Sequence, residues 1–258
     1  MKVSVVIITF NEEKNIGTCL DSVKEIADEI IVVDSFSTDK TVEICQNMGV
    51  KVVQQPFVGH IEQKNFAVSQ AKNNWILSLD ADEVLSSELL VSIQNIKNNQ
   101  HNNEGKNSHI TAFSMNRLTN YCGTWIRHTD WYPDRKVRLF HREYAKWGGT
   151  NPHDEVVIEK GEAKHLTGAL LHYSYHSISE HILQLNHFTN IGAQEAFARG
   201  KKAPLYKIFV NPIWKFVYSY FLRLGFLDGY KGFLVCAISA FATFTKYVKL
   251  RELHRQSK

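Results

Sequence analysis

Apolar runs of strand length alternate with segments of helical periodicity through the first hundred residues. Four such runs lie at 3–8, 29–33, 50–53 and 75–79, and apolar residues between them recur every three or four positions. Continuous apolar runs are typical of strands covered on both faces, and their alternation with helices gives a mostly parallel sheet flanked by helices. The sequence therefore predicts an α/β protein that binds its ligand at the carboxyl ends of these strands.

Charge is divided unevenly along the chain. Residues 199–258 contain 12 Lys and Arg against 2 Asp and Glu, whereas residues 1–198 contain 18 against 24. An acidic body and a basic tail indicate two different partners. The four cysteines are widely separated and form no C-x-x-C pair, which argues against a zinc site or a disulfide framework. Reduced cysteines of a cytosolic protein are the simpler interpretation.

An acidic tetrapeptide, Asp80–Ala81–Asp82–Glu83, directly follows the fourth apolar run. Two carboxylates separated by one residue, on a chain that leaves a strand, can converge on one hard cation, and Mg²⁺ or Mn²⁺ prefers oxygen ligands. The pattern predicts a divalent metal at Asp80 and Asp82, beside phosphate groups of a ligand. A solvated acidic turn near a helix start is the alternative.

Four segments of the first half carry a family resemblance: SVVIITFNEEKNI, EIIVVDSFSTDKT, QKN and WILSLDADE, in this order. Together they resemble family 2 glycosyltransferases with the GT-A fold. The later stretches WYPDRKVRLF, GGTNPHDEV and GFLDGYKGF are similar to the lipopolysaccharide core β-glucosyltransferases that act on inner-core heptose. The resemblance implies a catalytic domain over 1–198, with a nucleotide-sugar half at 1–97 and an acceptor half at 110–198.

The same resemblance implies which residues hold the nucleotide sugar. Thr9, Asn11 and Glu12 would face the base and ribose, Asp34 would accept hydrogen bonds from them, and Ser37 would shape the same loop. Lys64 would approach the base or the diphosphate. Asn11 and Ser37 as simple helix caps, and Lys64 as a surface charge, remain alternatives. The chain has neither G-x-G-x-x-G nor G-x-x-x-x-G-K-[ST], which disfavours dinucleotide-binding oxidoreductases and phosphate-loop NTPases.

An inverting sugar transfer also needs a base for the acceptor hydroxyl. Asp154 is the first candidate because it follows a turn predicted at Gly148–Gly149, and the neighbouring His153 would bind the metal or the diphosphate. Asp130 and Asp134 are the rivals. They flank two aromatic residues, Trp131 and Tyr132, that would either stack on a sugar or fill the core.

Three further polar residues have two interpretations each. Arg138 lies in the strand-like segment KVRLF, and its guanidinium would bind phosphate or form an ordinary salt bridge. His172 and His176 share one face of a predicted strand at 170–175, which permits a metal role, although structural roles are the commoner ones.

The tail between 204 and 250 interleaves aromatic and aliphatic residues with Lys and Arg. Only 14 uncharged residues separate Lys231 from Lys246, whereas a spanning helix needs about 20. The pattern predicts amphipathic helices, within 199–258, that lie on an anionic membrane, and it does not favour nucleic acid. Helices packed on the catalytic body are the alternative. Four aromatic residues suit the boundary between lipid and water: Trp214, Tyr218, Tyr220 and Tyr230.

These features lead to one functional hypothesis with alternatives. The chain is predicted to transfer a hexose, with glucose from UDP-glucose as the leading donor, to a heptose of a lipid-linked lipopolysaccharide core on the cytoplasmic face of the inner membrane. A donor such as UDP-galactose or ADP-heptose, or another cell-envelope acceptor, is the nearest alternative. A sugar-phosphate nucleotidyltransferase is disfavoured because Asn11–Glu12–Glu13 stands where a Gly-rich loop is usual. A non-catalytic membrane adaptor is the alternative from another class.

Overall fold

The computed structural model of the protein describes residues 1–99, 109–150 and 153–257. Most of the polar loop predicted at 98–109 falls outside this part. The chain forms two compact units. Unit 1 comprises residues 1–117 and 134–173, and unit 2 comprises residues 118–133 and 174–258. The helix at 178–198 therefore belongs with the C-terminal helices, and the predicted functional division at residue 198 stays a prediction.

The first half of unit 1 is the predicted alternation of strands and helices. Its four strands are parallel and lie in the order β3-β2-β1-β4, so their carboxyl ends share one edge. The strands are β1 (Val3–Thr9), β2 (Glu29–Asp34), β3 (Lys51–Gln54) and β4 (Trp75–Asp80). The helices are α1 (Ile16–Val23), α2 (Thr41–Asn47), α3 (His60–Ser69) and α4 (Ser87–Asn99).

Beyond β4 the sheet becomes mixed, because β8 pairs antiparallel with both β4 and β6. The order continues β8-β6-β11-β5, with β5 antiparallel to β11. These strands are β5 (Glu83–Leu85), β6 (Ile110–Tyr121), β8 (Asp134–His141) and β11 (Glu162–Tyr175), and the short β7 (Thr124–Trp125) pairs with the end of β6. A separate hairpin consists of β9 (Ala145–Thr150) and β10 (His153–Ile158). The turn predicted at Gly148–Gly149 is wrong, since both glycines lie within β9.

Alternating side chains of β1 serve two hydrophobic clusters in unit 1. Val5 and Ile7 pack with Ile16 and Leu20 of α1 on one face of the sheet. Val6 packs on the other face, where the cluster includes Ala67 of α3 and Trp147 of β9. Because both faces are covered, β1 is apolar at every position except Ser4 and Thr9, which explains the apolar run in the sequence.

Helix starts in unit 1 contradict both caps that the sequence offered as alternatives. The Ser86 hydroxyl accepts the backbone N–H of Leu89 at 3.2 Å and so caps α4. Asn11 does not cap α1, because that helix begins at Ile16. Ser37 does not cap α2, because that helix begins at Thr41 and Ser37 bonds Asp34 instead. Asn11 and Ser37 therefore serve the strand-end loops.

Unit 2 is mainly helical. Helix α5 (Ile178–Ala198) begins with a capping box in which Ser177 and Glu180 exchange hydrogen bonds. The other elements are α6 (Leu205–Val217), a π-helical turn (Tyr218–Leu222), a 3₁₀ turn (Gly225–Asp228) and α7 (Gly229–Gln256). Four aromatic side chains lie together beside these helices: Tyr121, Trp131, Tyr175 and His181.

Helix α7 is longer than the sequence count suggested. Within the described residues, Gly225–Gln256 is the single helical stretch that length and composition would allow to cross a membrane. The count of 14 uncharged residues underestimated it, because the helix continues past both Lys231 and Lys246. However, Leu250 of α7 is buried against Ala193 of α5, so part of the helix surface is occupied by protein. An orientation in the membrane plane therefore remains the prediction.

Candidate active site

Polar residues end three neighbouring strands at one edge of the parallel sheet. Thr9 ends β1, Asp34 ends β2 and Asp80 ends β4. The strand registers place Thr9 beside Asp34 and Ile8 beside Asp80. This is the edge at which ligands bind in parallel sheets, so the sequence prediction placed these three residues together correctly.

Asp34 organises the loops that follow β1 and β2. It is fully buried, and its carboxylate accepts hydrogen bonds from the Ser37 hydroxyl at 2.5 Å and from the Ser37 backbone N–H at 3.0 Å. The Ser37 hydroxyl in turn accepts the Asn11 backbone N–H at 2.8 Å, and the Asn11 side-chain oxygen accepts the Thr38 N–H at 2.8 Å. The two loops are therefore held together by the side chains that the resemblance assigns to the nucleotide.

Thr9 and Glu12 differ in how their polar groups are used. The Thr9 hydroxyl is buried and has no hydrogen-bond partner among the described residues, which suits a group that meets a ligand. The Glu12 carboxylate accepts the Asn15 side-chain amide at 2.7 Å. Burial, with the negative charges of Asp82 and Asp39, raises the pKa of Glu12 to about 7.

Lys64 joins two carboxylates that are far apart in the sequence. Its side chain is buried, and Nζ lies 3.0 Å from Asp80 Oδ1 and 2.7 Å from Asp154 Oδ2. The ammonium also lies 4.3 Å from the centre of the Trp147 ring. A buried ammonium needs such partners because an unpaired one would be strongly disfavoured. Lys64 is therefore no surface charge, and it brings the predicted base next to the acidic tetrapeptide.

A second cation holds the other side of Asp80. Arg138 is buried and donates to Glu83 from Nε at 2.9 Å and from Nη2 at 2.8 Å, a bidentate arrangement. Nη2 also lies 3.3 Å from Asp80 Oδ2. Glu83 is fully buried and lies 3.6 Å from Arg117 Nη1. The salt-bridge interpretation of Arg138 is thus the one that this geometry supports directly.

The charges of this cluster stabilise one another. Burial opposes the ionisation of Asp80, but the ammonium of Lys64 and the guanidinium of Arg138 outweigh it and hold the pKa of Asp80 well below its usual value. Burial likewise opposes the charge of Arg138, and the carboxylates of Glu83 and Asp80 reverse the effect and raise its pKa. Asp80 is therefore ionised and engaged with two cations at neutral pH.

Asp82 has a different neighbour. Its Oδ2 lies 3.1 Å from His172 Nε2, and its backbone carbonyl accepts the Tyr173 N–H at 2.9 Å. The antiparallel pairing of β5 with β11 produces this contact by setting His172 opposite Glu83. His172 lies on the predicted strand, and its Nδ1 is buried without a hydrogen-bond partner among the described residues.

A carboxylate and an imidazole at this distance fit a small divalent cation. Oxygen and nitrogen ligands of this kind suit Mn²⁺, and Mg²⁺ accepts a single carboxylate when phosphate and water complete its shell. Within residues 1–99, 109–150 and 153–257, no three His, Cys, Asp or Glu side chains are arranged to hold a metal. Asp82 and His172 are thus the pair that fits such an ion, with the ligand supplying further oxygens.

The candidate bases occupy three different environments. Asp154 keeps Oδ1 free of hydrogen bonds from the described residues while Lys64 holds Oδ2. Asp134 is bound by Arg117, from Nε at 2.9 Å and Nη2 at 2.8 Å, and by Lys136 at 3.1 Å. Asp130 belongs to unit 2, where Lys215 and Ser219 hold it. The side chain of His153 lies outside the described part of the structure, so its binding of the metal or the diphosphate remains a prediction.

Four residues of this region were absent from the predicted site or were given a minor place in it. Glu83 was treated as part of a turn, and Arg117 and Trp147 were not singled out. His172 was considered without its partner. Glu83 begins a three-residue strand that is buried at every position, and the pairings of Arg117, Trp147 and His172 depend on contacts between segments distant in the chain.

Comparison with known proteins identifies the family of the chain. The model of the family described as Glycosyl transferase family 2 matches residues 4–107. An uncharacterized glycosyltransferase of Rickettsia typhi is 36% identical over 265 residues, covering 100% of this chain and 89% of that protein. The lipopolysaccharide core biosynthesis glycosyltransferase LpsC of Rhizobium meliloti is 28% identical over 266 residues, covering 98% and 93%.

A solved structure shows the same fold. The mannosyltransferase PcManGT from Pyrobaculum calidifontis, in complex with GDP-Man and Mn²⁺, superposes with a TM-score of 0.57 over 96% of this chain and 86% of that one, at 16% identity. The predicted GT-A fold, a central sheet flanked by helices with helices at the C-terminus, is confirmed. Together with the full-length relatives, these findings show that the chain belongs to the family 2 glycosyltransferases and is an enzyme of that class.

Proposed function

We propose that the chain transfers a hexose from a nucleotide-diphosphate sugar to a lipid-linked lipopolysaccharide core oligosaccharide, with inversion at the anomeric carbon. UDP-glucose is the leading donor and a heptose the leading acceptor. The observation that carries the proposal is the Lys64 ammonium, which contacts Asp80 at the donor edge and Asp154 on the hairpin. One buried side chain thereby relates the predicted donor site to the predicted base.

Asp154 is assigned the role of base. An acceptor hydroxyl that approaches the free Oδ1 would give up its proton there as its oxygen bonds the anomeric carbon and the diphosphate leaves. Lys64 fixes the position of the carboxylate by its contact with Oδ2, so that Oδ1 is held where an acceptor hydroxyl would approach.

Asp82 and His172 would hold Mg²⁺ or Mn²⁺. When bound, such an ion supplies positive charge against the diphosphate. Support comes from the 3.1 Å contact between the two side chains and from the Mn²⁺ found with the mannosyltransferase of the same fold. In this assignment Asp80 is a positioning residue that Lys64 and Arg138 hold, and Asp82 is the metal ligand of the pair that the sequence predicted.

The donor loops are assigned the nucleotide. Asp34 and Ser37 are engaged with each other, so they shape the loop, while the buried hydroxyl of Thr9, which has no partner in the described part of the chain, is free to meet the ligand. Glu12 and Asn11 complete the loop from the β1 side. A buried hydroxyl without a partner is disfavoured unless something satisfies it, and a nucleotide oxygen would do so.

The acceptor class and the location rest on two observations. LpsC, similar over the whole length of this chain, is a lipopolysaccharide core biosynthesis enzyme by name. In unit 2, apolar side chains of α6 stand in solvent, among them Phe209 and Trp214, on a segment of the chain rich in Lys and Arg. These features suit peripheral binding to the cytoplasmic face of an anionic membrane, where a lipid-linked acceptor is presented.

The proposal is tested by release of nucleoside diphosphate from a panel of UDP-glucose, UDP-galactose, GDP-mannose and ADP-heptose, with purified core lipid as acceptor and Mn²⁺ or Mg²⁺ present. We expect release to be fastest with UDP-glucose and to need both the acceptor and the metal. Asp82→Ala should lower turnover by about 10²- to 10³-fold. Asp21→Ala, an exposed aspartate in a surface pair with Lys24, is the matched control.

Two results would refute parts of this assignment separately. Full turnover by Asp82→Ala in saturating chelator would remove the metal from the mechanism. A faster reaction with another donor in the panel, with unchanged dependence on the acceptor, would replace UDP-glucose and leave the site assignment in place.

A further inference from the structure

The segment 127–132 of unit 2 is held by residues of the C-terminal helical region. Asp228 has a side chain with 5% exposure, and its carboxylate accepts the backbone N–H of Arg127 at 3.2 Å and that of His128 at 2.9 Å. It also contacts His128 Nδ1 at 2.8 Å. A buried carboxylate with three such partners is a fixed anchor.

Further contacts hold the rest of this segment. The Thr129 N–H donates to the Arg223 carbonyl at 3.0 Å, and the Arg223 guanidinium donates to the carbonyls of Thr129 at 3.3 Å and Tyr132 at 3.0 Å. The carboxylate of Asp130 is bound by Ser219 and Lys215. Burial raises the pKa of Asp130, but the hydrogen bonds from Lys215 and Ser219 outweigh burial and lower it overall.

Close packing makes the contact rigid. Thr129 is fully buried with a φ of 67°, a conformation that a β-branched residue adopts only where its surroundings enforce it. A Cβ added to Gly225 would lie 2.9 Å from the Thr129 side chain and 2.8 Å from the Ser219 carbonyl. Gly225 must therefore be glycine for residues 218–230 to pack on segment 127–132.

The same stretch, 218–230, exposes a large apolar surface. Its side chains alternate between those buried against segment 127–132 and those in solvent. The exposed ones are Tyr218 (38%), Phe221 (54%), Leu222 (60%), Leu224 (45%), Phe226 (44%), Leu227 (56%) and Tyr230 (68%). Apolar patches of this kind mark an interaction site, and the positive charge of residues 199–258, which contain 12 Lys and Arg against 2 Asp and Glu, suits a bilayer with anionic headgroups.

We propose that residues 218–230 are the lipid-contact site of unit 2 and that lipid contact there fixes the conformation of segment 127–132. The inference rests on the membrane binding included in the proposed function, and it adds which residues enter the lipid and what they control. Asp228, Gly225 and Arg223 carry the effect because they lie between the exposed side chains and the held segment. Lipid that restrains 218–230 therefore restrains 127–132 as well.

Hydrogen exchange of the full chain tests this inference. The probes are vesicles of phosphatidylcholine with phosphatidylglycerol, vesicles of phosphatidylcholine alone, and no vesicles. We expect the amides of Arg127, His128 and Thr129 to exchange about tenfold more slowly with the anionic vesicles. A fourfold variant, Phe221→Ser, Leu222→Ser, Phe226→Ser and Leu227→Ser, should lose both vesicle binding and the added protection. Val91→Ser, an exposed apolar residue of α4, is the control.

The Asp228→Asn variant tests separately whether residues 218–230 bind lipid and whether that binding restrains segment 127–132. This variant keeps every exposed apolar side chain, so it should still bind the vesicles, but its segment 127–132 should exchange faster and gain no protection from them. Thermal unfolding of each variant checks that the chain is folded. Unchanged exchange at 127–129 in vesicle-bound wild type, or protection of those amides in vesicle-bound Asp228→Asn, would overturn the inference.

Nucleoside diphosphate release from UDP-glucose with purified core lipid as acceptor and no vesicles, measured in parallel, keeps the two proposals apart. Wild type that releases nucleoside diphosphate but fails to bind anionic vesicles would overturn the lipid inference and the proposed membrane binding, and would leave the proposed sugar transfer in place. Wild type that binds vesicles with the expected protection but releases no nucleoside diphosphate would overturn the proposed function instead.

Discussion

The two units of the molecule differ in which side chains they bury and which they expose. Unit 1 buries a group of charged residues, in which Lys64 and Arg138 are each bound to carboxylates. Unit 2 exposes large apolar residues along α6 and 218–230, while its buried His181 is kept neutral, since burial lowers its pKa to about 4.

This difference supports assigning the proposed chemistry to unit 1 and the proposed membrane contact to unit 2. Buried charges are costly unless each has a partner, so their presence in unit 1 marks a site whose geometry is worth that cost. Exposed apolar side chains are costly in water, so their number in unit 2 indicates a surface that is covered in use. The following predictions test these two statements, from the largest expected effect to the smallest.

Replacing the predicted base is expected to have the largest effect. Asp154→Asn removes the proton acceptor but keeps a polar group beside Lys64, and we expect kcat to fall by about 10²- to 10⁴-fold. Single-turnover kinetics with core lipid measures this, with Asp21→Asn as the surface control. A larger loss in Asp134→Asn or Asp130→Asn than in Asp154→Asn would move the base to one of those residues.

The buried ion pair between Arg138 and Glu83 in unit 1 should affect the free energy of unfolding. Arg138→Met leaves Glu83 buried without its bidentate partner, and we expect the free energy of unfolding to fall by about 3–5 kcal/mol. Urea denaturation measures it. Removing both charges in Arg138→Met with Glu83→Leu should recover part of the loss. Arg255 forms an exposed pair with Glu252, so Arg255→Met should cost less than about 1 kcal/mol. An equal loss of stability in Arg138→Met and Arg255→Met would contradict the claim that the buried pair matters more than the exposed one.

The exposed apolar side chains of unit 2 should strengthen its binding to membranes. Phe209 and Trp214 of α6 are 60% and 59% exposed. Changing both to Ser removes apolar area that lipid would cover, so we expect partition into anionic vesicles to fall by about 10²-fold. Flotation measures partition, and unfolding by urea should be nearly unchanged. Unaltered flotation would show that α6 does not meet the membrane.

The metal assignment in unit 1 predicts a smaller effect. His172→Ala should weaken apparent Mn²⁺ affinity about 10- to 100-fold, so that activity is restored at high Mn²⁺. The dependence of turnover on Mn²⁺ concentration measures it, with His176→Ala, a histidine just after the end of β11, as the control. An activity loss that added Mn²⁺ does not restore would assign His172 another role.

The smallest effect concerns Glu12 and pH. Its pKa is raised to about 7 from 4.5, so the unfolded chain releases this proton first as pH rises. The contribution of Glu12 to stability is thus fully present below pH 4.5 and is lost as pH rises to about 7. After allowance for its contact with water, we expect about 1–2 kcal/mol. Unfolding in chelator between pH 4 and 8 should be flatter for Glu12→Gln, and identical curves would contradict the burial of this carboxylate.

The donor edge was largely predictable from the sequence because its signals are local. Strands β1 and β4 are apolar runs that end in Thr9 and Asp80, and a parallel arrangement brings those ends together. Local pattern misjudged Asn11 and Ser37 as possible caps, since each bonds a residue of the neighbouring loop or strand end. The antiparallel half of the sheet was not foreseen, because its pairings join segments distant in the chain.

No local sequence pattern could indicate which residues the charged side chains of the site contact. The contact of Asp82 with His172 depends on the register of β5 against β11, and that of Lys64 with Asp154 depends on where the hairpin packs. Tail composition indicated an amphipathic character but did not indicate that Asp228 and Arg223 face inward to hold 127–132. Long-range register and packing decide such pairings.

The hairpin of β9 and β10 has a consequence for how specificity changes within such enzymes. It carries Asp154, yet its strands pair with each other and not with the main sheet. Trp147 of β9 fixes the hairpin to the donor half, since its Nε1 donates to Ser78 at 3.1 Å and its backbone bonds the side chain of Asn65 in α3. Under the proposed assignment, the other hairpin residues can change around the acceptor hydroxyl while Trp147 and the Lys64 contact keep Asp154 in place.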